Sequence, residues 1–468
     1  MISEYLRIQD ISEMPLISRN THPPAKGHPA VALISLGCAK NTVDSEIMLA
    51  SLASTGYRLV ADARVATVAI VNTCGFIEDA TRESIDTILD LAKLKRKGPL
   101  KTLAVAGCLA ERYKGELAQG LPEVDLFVGT REYDRIGDLI AKASGGALPT
   151  REAFSDTLMD YSRRLPRLLA EPGPSAYLKV AEGCSRPCTF CVIPRFRGRF
   201  RSRDANYIIE EAEALAAAGV KEINLLAQEI TSYGIDIAEG YSLAKLLEQL
   251  NEVEGLHWIR ILYNYPRGVT DELLAAIRDL PRVVEYIDMP LQHIATPVLA
   301  AMRRGIDETG TRTLISKLRR EIPGCALRTT MLVGFPGETK EDFEALLKFV
   351  EETRFTRLGA FAYSPEEGSI ATRLPNPVPK EIVRERLRRL LSLQEEIQVD
   401  MNKALVGERC EVLVERLTAE GLLCGRTRYQ APEVDGEVFL HKTEATPGEI
   451  VNCEIVDTDG VDLIVREK

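Results

Sequence analysis

The chain has 468 residues, 45% hydrophobic and 27% charged, with a formal net charge of −10. This is a globular composition with length for about two to four domains; its excess of acid lowers the case for nucleic acid as the main partner and favours a basic protein. No apolar run approaches the roughly 18 residues of a membrane span, and ten cysteines in so long a chain point to metal or catalysis in a reducing cytoplasm, not to a disulfide framework.

Residues 1–30 contain Pro15, Pro23, Pro24 and Pro29 and no apolar stretch. They are read as a disordered leader without a signal peptide. From Val31 strand and helix patterns alternate: VALISLG, TVAIVNT, TLAVAG and EVDLFVG read as strands, with helical spacing after each. That predicts an N-terminal parallel α/β domain over 31–148. Residues 149–175 are rich in Pro, Gly and charge and read as a linker that has room for a strand. A second series follows, with six strand-like runs (AYLKVAE, KEINLLAQ, HWIRILY, VEYIDMP, ALRTTMLVG, RLGAFAY) separated by helices. It predicts a partial (β/α)6, TIM-like barrel over 176–400, with chemistry at the carboxyl ends of its strands. Residues 401–468 carry short strands and turn residues, the pattern of a small all-β barrel.

The sharpest motif is EGCSRPCTFCVIP, Glu182–Pro194, with cysteines at CxxxCxxC spacing. It supplies three ligands, Cys184, Cys188 and Cys191. A structural zinc needs a fourth, and the only histidines, His22, His28, His257, His293 and His441, form no HxxxH pair. A second possibility is an iron–sulfur cube with one iron left open for a substrate or cofactor. The N-terminal block has its own trio. Cys38, Cys74 and Cys108 each follow a predicted strand, at separations of 36 and 34 residues. Parallel neighbours would bring their sulfurs to one sheet edge, as a second cluster with three protein ligands; three buried structural cysteines are the plainer alternative.

The CxxxCxxC loop, with Phe190 before its last cysteine and a βα series behind it, resembles the radical S-adenosylmethionine superfamily over Ala176–Leu374. The resemblance implies a [4Fe–4S] cluster on Cys184, Cys188 and Cys191 whose open iron is chelated by S-adenosylmethionine, cleaved reductively to a 5′-deoxyadenosyl radical. With the second trio and the C-terminal β domain, the layout after Val31 is similar to the methylthiotransferases. In that family a second [4Fe–4S] cluster, here on Cys38, Cys74 and Cys108, carries the sulfur. One S-adenosylmethionine supplies the methyl group and another the radical. A sulfur source and a low-potential electron donor such as flavodoxin or ferredoxin are implied as partners, and no membrane.

SLGCAKNTVDSE (Ser35–Glu46), VNTCGFIEDA (Val71–Ala80), YIDMPLQH (Tyr286–His293) and MLVGFPGET (Met331–Thr339) look like the RimO branch. That branch modifies the β-carbon of an aspartate in the small-subunit ribosomal protein S-twelve. The branch that modifies tRNA adenosine typically has a GCQMN-like first motif and a VQSGS-like segment, both absent here. Asn402–Lys468, which corresponds to the family's TRAM domain, holds 8 Lys+Arg against 14 Asp+Glu. That suits a basic protein better than phosphate. PRFRGRFRSR pulls the other way: in an extended segment Arg195, Arg197, Arg199, Arg201 and Arg203 would share one face, able to hold RNA or carboxylates.

Gln228 and Gln292, with His293, fall at predicted strand ends and are candidates for cofactor contact. Arg328, inside an apolar strand, is a candidate for the cofactor carboxylate or for a structural ion pair. GFPGE at Gly334–Glu338 reads equally well as a tight turn, and Cys325, Cys410, Cys424 and Cys453 read as small core residues. Two rivals stand beside the main reading: a tRNA methylthiotransferase, and a non-catalytic cluster- or zinc-binding adaptor on the ribosome.

Overall fold

The computed structural model describes residues 29–468 apart from 158, 161, 162, 171, 172, 239 and 442. The expected leader therefore lies outside the described residues but for its last two. The chain divides into two compact units. One takes the chain up to residue 172 with Glu182–Cys184 and Val192–Arg199; the other takes Gly173–Ala181, Ser185–Cys191 and Phe200–Lys468.

The first unit runs β1 (Ala30–Ser35), α1 (Ala39–Ser54), β2 (Arg58–Leu59), β3 (Val68–Thr73), α2 (Glu78–Lys97), β4 (Thr102–Gly107), α3 (Cys108–Gly120), β5 (Leu126–Val128), α4 (Ile136–Ser144) and β6 (Glu152–Ala153), with the short α5 (Ile193–Phe196) added later in the chain. Its sheet is parallel, in the order β2-β1-β3-β4-β5-β6. VAIVNT and TLAVAG are buried at every position, as strands covered on both faces must be. Val71, Ile88, Leu91, Leu103, Val105 and Phe127 lie in its main core. The two-residue edge strands β2 and β6 escape the sequence patterns, and β6 comes from the segment read as linker, pairing Glu152 with Phe127.

The second unit opens with β7 (Ser175–Lys179); the two-residue strands β8 (Ala181–Glu182), whose last residue belongs to the first unit, and β9 (Arg201–Ser202) follow in sequence on either side of the cysteine loop. Then come α6 (Ala205–Ala217), β10 (Glu222–Leu226), α7 (Leu243–Asn251), β11 (Trp258–Ile261), α8 (Asp271–Asp279), β12 (Val283–Asp288), α9 (Thr296–Ala301), α10 (Glu308–Glu321), β13 (Ala326–Val333), α11 (Lys340–Thr353) and β14 (Arg357–Ala362). The sheet β7-β10-β11-β12-β13-β14 is parallel throughout, each strand beside the next in sequence. This is an open (β/α)6 partial barrel. Asp204, Ser242, Thr270, Asp307 and Thr339 cap α6, α7, α8, α10 and α11, and Thr339 with Asp342 forms a capping box. The loops thus end where a side-chain oxygen can take the first free amides.

The 25-residue α12 (Lys380–Ala404) leads to β15 (Arg409–Leu417), β16 (Leu423–Thr427), β17 (Val438–His441), β18 (Ile450–Asp459) and β19 (Asp462–Glu467). They close into a barrel in the order β15-β16-β17-β19-β18. Alternate residues fill it: Val412 and Val414, Val438 and Leu440, Cys453 and Ile455, Leu463 and Val465. A Cβ at Gly425 would sit 2.0 Å from the Leu413 carbonyl oxygen, so only glycine lets β15 and β16 approach this closely. Cys424 and Cys453 are buried and Cys325 and Cys410 half-buried.

Candidate active site

In the first unit, β1, β3 and β4 are neighbours. Cys38 follows β1, Cys74 follows β3, and Cys108 opens α3 directly after β4. The register pairs Ser35 with Asn72 and Thr73 with Gly107, so the three strands end side by side. Glycine makes this closeness possible. A Cβ on Gly37 (φ +92°) would stand 2.6 Å from Cys74 Cβ, and one on Gly107 (φ +102°) 2.5 Å from Asn72 Oδ1.

The rest of SLGCAKNTVDSE holds the ends in place. Asn41 donates through Nδ2 to the carbonyls of Leu36 (2.9 Å) and Thr73 (3.0 Å). Asn72 Nδ2 donates to the Asn41 carbonyl and to Ser45 Oγ, each at 2.9 Å. Ser84 Oγ accepts from the Cys74 amide and donates to its carbonyl.

Arg197, also in this unit, reaches the trio from the far end of the cysteine loop. Its Nη2 donates to Cys108 Sγ at 3.1 Å and to Asn41 Oδ1 at 2.7 Å. Its Nη1 donates to Asp44 Oδ2 at 2.6 Å and lies 3.5 Å from Glu182 Oε2. Cys38 is exposed, whereas Cys74 and Cys108 are buried. Burial pushes the Cys108 thiol up to about 12 against the pull of Arg197, with Cys74 and Cys38 close enough to add to the rise. Burial likewise raises Cys74. Sequence reasoning named Arg197 only as one of a run of five arginines and missed Asn41 and Asp44; the available signal was polar residues three apart on a helix directly behind a cysteine.

The CxxxCxxC loop is divided between the units. In the first, the Cys184 amide donates to the Gly198 carbonyl at 3.1 Å, and Gly183 (φ +78°) passes so close to Arg199 that a Cβ would meet its carbonyl oxygen at 2.3 Å. In the second, the Cys191 amide donates to the Cys188 carbonyl. Arg304 Nη1 donates to Cys188 Sγ at 3.3 Å, and its Nη2 to the Pro290 carbonyl at 2.6 Å. Arg304 and Arg186 both stack on the Tyr265 ring, at 4.5 and 4.3 Å from its centre. Phe190 packs against the apolar cluster of Ala295, Val298, Met302, Phe335 and Ala371.

The arginine run does not form one face. In the first unit α5 interrupts the extended chain, and Arg195 and Arg199 are exposed while Arg197 is buried. In the second, Arg203 is buried and donates to Glu211 Oε2 at 2.7 Å. Arg328 is held in a structural ion pair. Its Nη1 donates to Asp288 Oδ1 at 2.8 Å and its Nε lies 3.4 Å from Asp435 Oδ1. GFPGE is no open cradle either: the Gly334 and Phe335 amides both donate to Glu338 Oε2, and Arg386 holds its other oxygen.

Gln228 lies two residues past the end of β10 and is half-buried. Gln292 takes a left-handed backbone (φ +76°). Its amide donates to the Thr330 carbonyl and its carbonyl accepts from Leu332, bridging to β13. His293 is fully buried and its Nδ1 accepts from the Ala295 amide, which places the proton on Nε2, 4.0 Å from Glu338 Oε2. Burial lowers its pKa to about 4.

Among the described residues no three Cys, His, Asp or Glu side chains converge on one metal ion. A cube asks for something else, one thiolate for each of several separate irons. Soft sulfur donors without a competing carboxylate fit that demand. At Cys108 and Cys188 a guanidinium already faces the sulfur that would carry the charge.

The sequence matches the family described as "Uncharacterized protein family UPF0004" over residues 30–129, the Radical SAM superfamily over 178–350 and the TRAM domain over 406–466. It is 48% identical to the ribosomal protein uS12 methylthiotransferase RimO of Pelobacter propionicus and 50% identical to that of Geotalea uraniireducens, in both cases over 93% of this chain and 97% of the relative. The chain belongs to the RimO family. Its three matched regions coincide with the first unit's sheet, the partial barrel and the closed barrel. Among solved structures, the radical S-adenosylmethionine methyltransferase TsrM from Kitasatospora setae, with cobalamin and a [4Fe–4S] cluster bound, is similar at a TM-score of 0.55, covering 72% of this chain and 77% of that one. At 18% identity that likeness is one of fold. No described helix of this RimO-family chain is long and apolar enough to cross a membrane.

Proposed function

We propose that this chain is a radical S-adenosylmethionine methylthiotransferase that places a methylthio group on the β-carbon of an aspartate in ribosomal protein uS12. The substrate comes from the RimO relatives, matched over 93% of the chain. The observation that carries the chemistry is the second cysteine trio, at the ends of three adjacent parallel strands, in a chain that also has the radical SAM loop. Cys184, Cys188 and Cys191 would hold one [4Fe–4S] cluster and Cys38, Cys74 and Cys108 another. When bound, these clusters and S-adenosylmethionine supply the electron, the hydrogen-abstracting radical, the methyl group and the sulfur; a low-potential donor such as flavodoxin or ferredoxin and a sulfur source serve them in the cytoplasm.

The protein's own residues orient and shield. Asn41 and Asn72 lock the ends of β1 and β3 to α1, and the Thr73 hydroxyl donates to the Ala106 carbonyl of β4, so the thiols keep fixed spacing. Thr189 holds the loop between Cys188 and Cys191 against the C-terminal end of α9, donating to the Ala301 carbonyl at 2.8 Å through its hydroxyl and to the Met302 carbonyl through its amide. Fixed placement of reactants is the main catalytic contribution a protein can make to cofactor chemistry of this kind. Phe190, Gln228 and Gln292 are assigned to S-adenosylmethionine. Arg328 is not, because Asp288 and Asp435 occupy it.

Three arginines of the barrel are held by carboxylates within the unit. Arg426 is buried against Glu222 and Glu415, Arg428 pairs with Glu285, and Arg416 pairs with Glu437. This supports a basic protein as the partner over RNA. The test is a mass shift. The protein, reconstituted anaerobically with iron and sulfide, receives reductant, S-adenosylmethionine and either a uS12 aspartate-loop peptide or unmodified tRNA. Methylthio gain on the peptide is expected. Gain on tRNA alone would transfer the chain to the other branch, and cleavage of no S-adenosylmethionine at all would favour the non-catalytic adaptor.

A further inference from the structure

We infer that Arg197 is a positioning residue of the strand-end trio, and that its N–H···S hydrogen bond to Cys108 raises the reduction potential of the cluster held there. The inference rests on the two-cluster reading above. Its geometry stands on its own: the Arg197 side chain is 4% exposed and Asp44 is 0% exposed, so both charges have left water. A buried guanidinium without a counter-charge is costly. Asp44, at 2.6 Å, and Glu182, at 3.5 Å, supply that counter-charge.

The second terminal nitrogen faces sulfur. Nη2 is shared between Asn41 Oδ1 at 2.7 Å and Cys108 Sγ at 3.1 Å. Asn41 and Asp44 both lie on α1, the helix that begins directly after Cys38. The planar fork of arginine therefore ties the helix behind one thiol to a second thiol, which the single point charge of lysine could not do in the same geometry. Hydrogen bonds to the sulfurs are among the factors that set an iron–sulfur potential. A charge-assisted donor stabilises the more electron-rich reduced state, so its sign is upward. Arg197 stands six residues after Cys191 in sequence, so the segment that carries the radical SAM motif also supplies the donor to the other trio.

The test uses the full chain with Cys184, Cys188 and Cys191 all changed to Ala, so that only the strand-end trio can hold iron. Iron content comes first. If this parent holds no cluster after anaerobic reconstitution, the two-cluster reading itself fails. If it does, its midpoint potential is measured by EPR-monitored titration beside R197K and R197Q. Both should lower the potential, with R197Q changing the reduced-to-oxidised ratio at fixed potential about tenfold, which is about 59 mV for one electron. A potential unchanged in both, with full iron content, overturns the inference. Should neither variant fold, the parent still decides. Resonance Raman iron–sulfur bands compared after reconstitution in H2O and D2O should shift, and bands that do not move would remove the proposed hydrogen bond.

Discussion

Arg426 of β16 and Glu222 of β10 form an ion pair with side chains 3% and 0% exposed. Arg260 of β11 completes it, donating to Glu222 Oε1 through Nε at 3.0 Å and Nη2 at 2.8 Å. Along the same sheet, Tyr286 donates to Asp435 and Arg357 to the Asp435 carbonyl. The closed barrel is thus joined to the partial barrel by buried charge, with both oxygens of Glu222 taken by arginines. Glu222→Gln leaves the buried Arg260 without its carboxylate and Arg426 with Glu415 alone. Breaking a buried pair in this way costs about 3–5 kcal/mol. The urea midpoint should fall accordingly, and a change under 1 kcal/mol would show that the joint is loose.

The same residue predicts an acid limb. Burial alone would push the Glu222 carboxyl up, but Arg426 and Arg260 bring it down to about 2 from an ordinary 4.5. The unfolded chain therefore takes up this proton at higher pH than the folded one. The stabilisation is whole above pH 4.5 and is lost as pH falls toward 2. Urea midpoints at pH 5 and pH 3 should converge in E222Q relative to the unchanged protein. Equal slopes in both would assign the acid sensitivity to other groups.

Much of this architecture is legible in the sequence because parallel strands advertise themselves. VAIVNT and TLAVAG are nearly continuous apolar runs bounded by turn residues, and Cys38, Cys74 and Cys108 follow such runs at one βαβ period. What was not legible depends on partners remote in sequence. Arg328 in a strand looks like a cofactor ligand until Asp435, more than a hundred residues on, closes on it. Arg197 looks like one of five equivalent arginines until the four-residue α5 turns it inward. Edge strands such as β6 have two residues, too few to carry a period.

Gln292 carries its own signal. A non-glycine residue at φ +76° costs about 1–2 kcal/mol, held here by backbone hydrogen bonds to Thr330 and Leu332. Gln292→Gly keeps that backbone and removes only the side chain. Relief of strain and the greater freedom of glycine in the unfolded chain oppose each other, so stability should stay within about 1 kcal/mol. KM for S-adenosylmethionine in its reductive cleavage should rise several-fold. An unchanged KM in the folded variant would withdraw Gln292 from the cofactor site.

The two trios should separate by function. Cys38→Ala removes an exposed thiol, within about 0.5 kcal/mol, and Cys74→Ala and Cys108→Ala remove buried ones, at about 0.5–3 kcal/mol each. All three variants should fold, keep half the iron and still form 5′-deoxyadenosine, because cleavage needs only the CxxxCxxC site. None should yield methylthiolated peptide. Cys184→Ala, Cys188→Ala and Cys191→Ala should also keep half the iron but lose both activities, since no radical is made to open the C–H bond. Arg304, which donates to Cys188 at 3.3 Å, gives an intermediate probe: Arg304→Gln should keep iron and slow cleavage. Equal loss of cleavage from both cysteine sets would mean that the strand-end thiols serve the radical step itself, and that the protein has one chemical site instead of two.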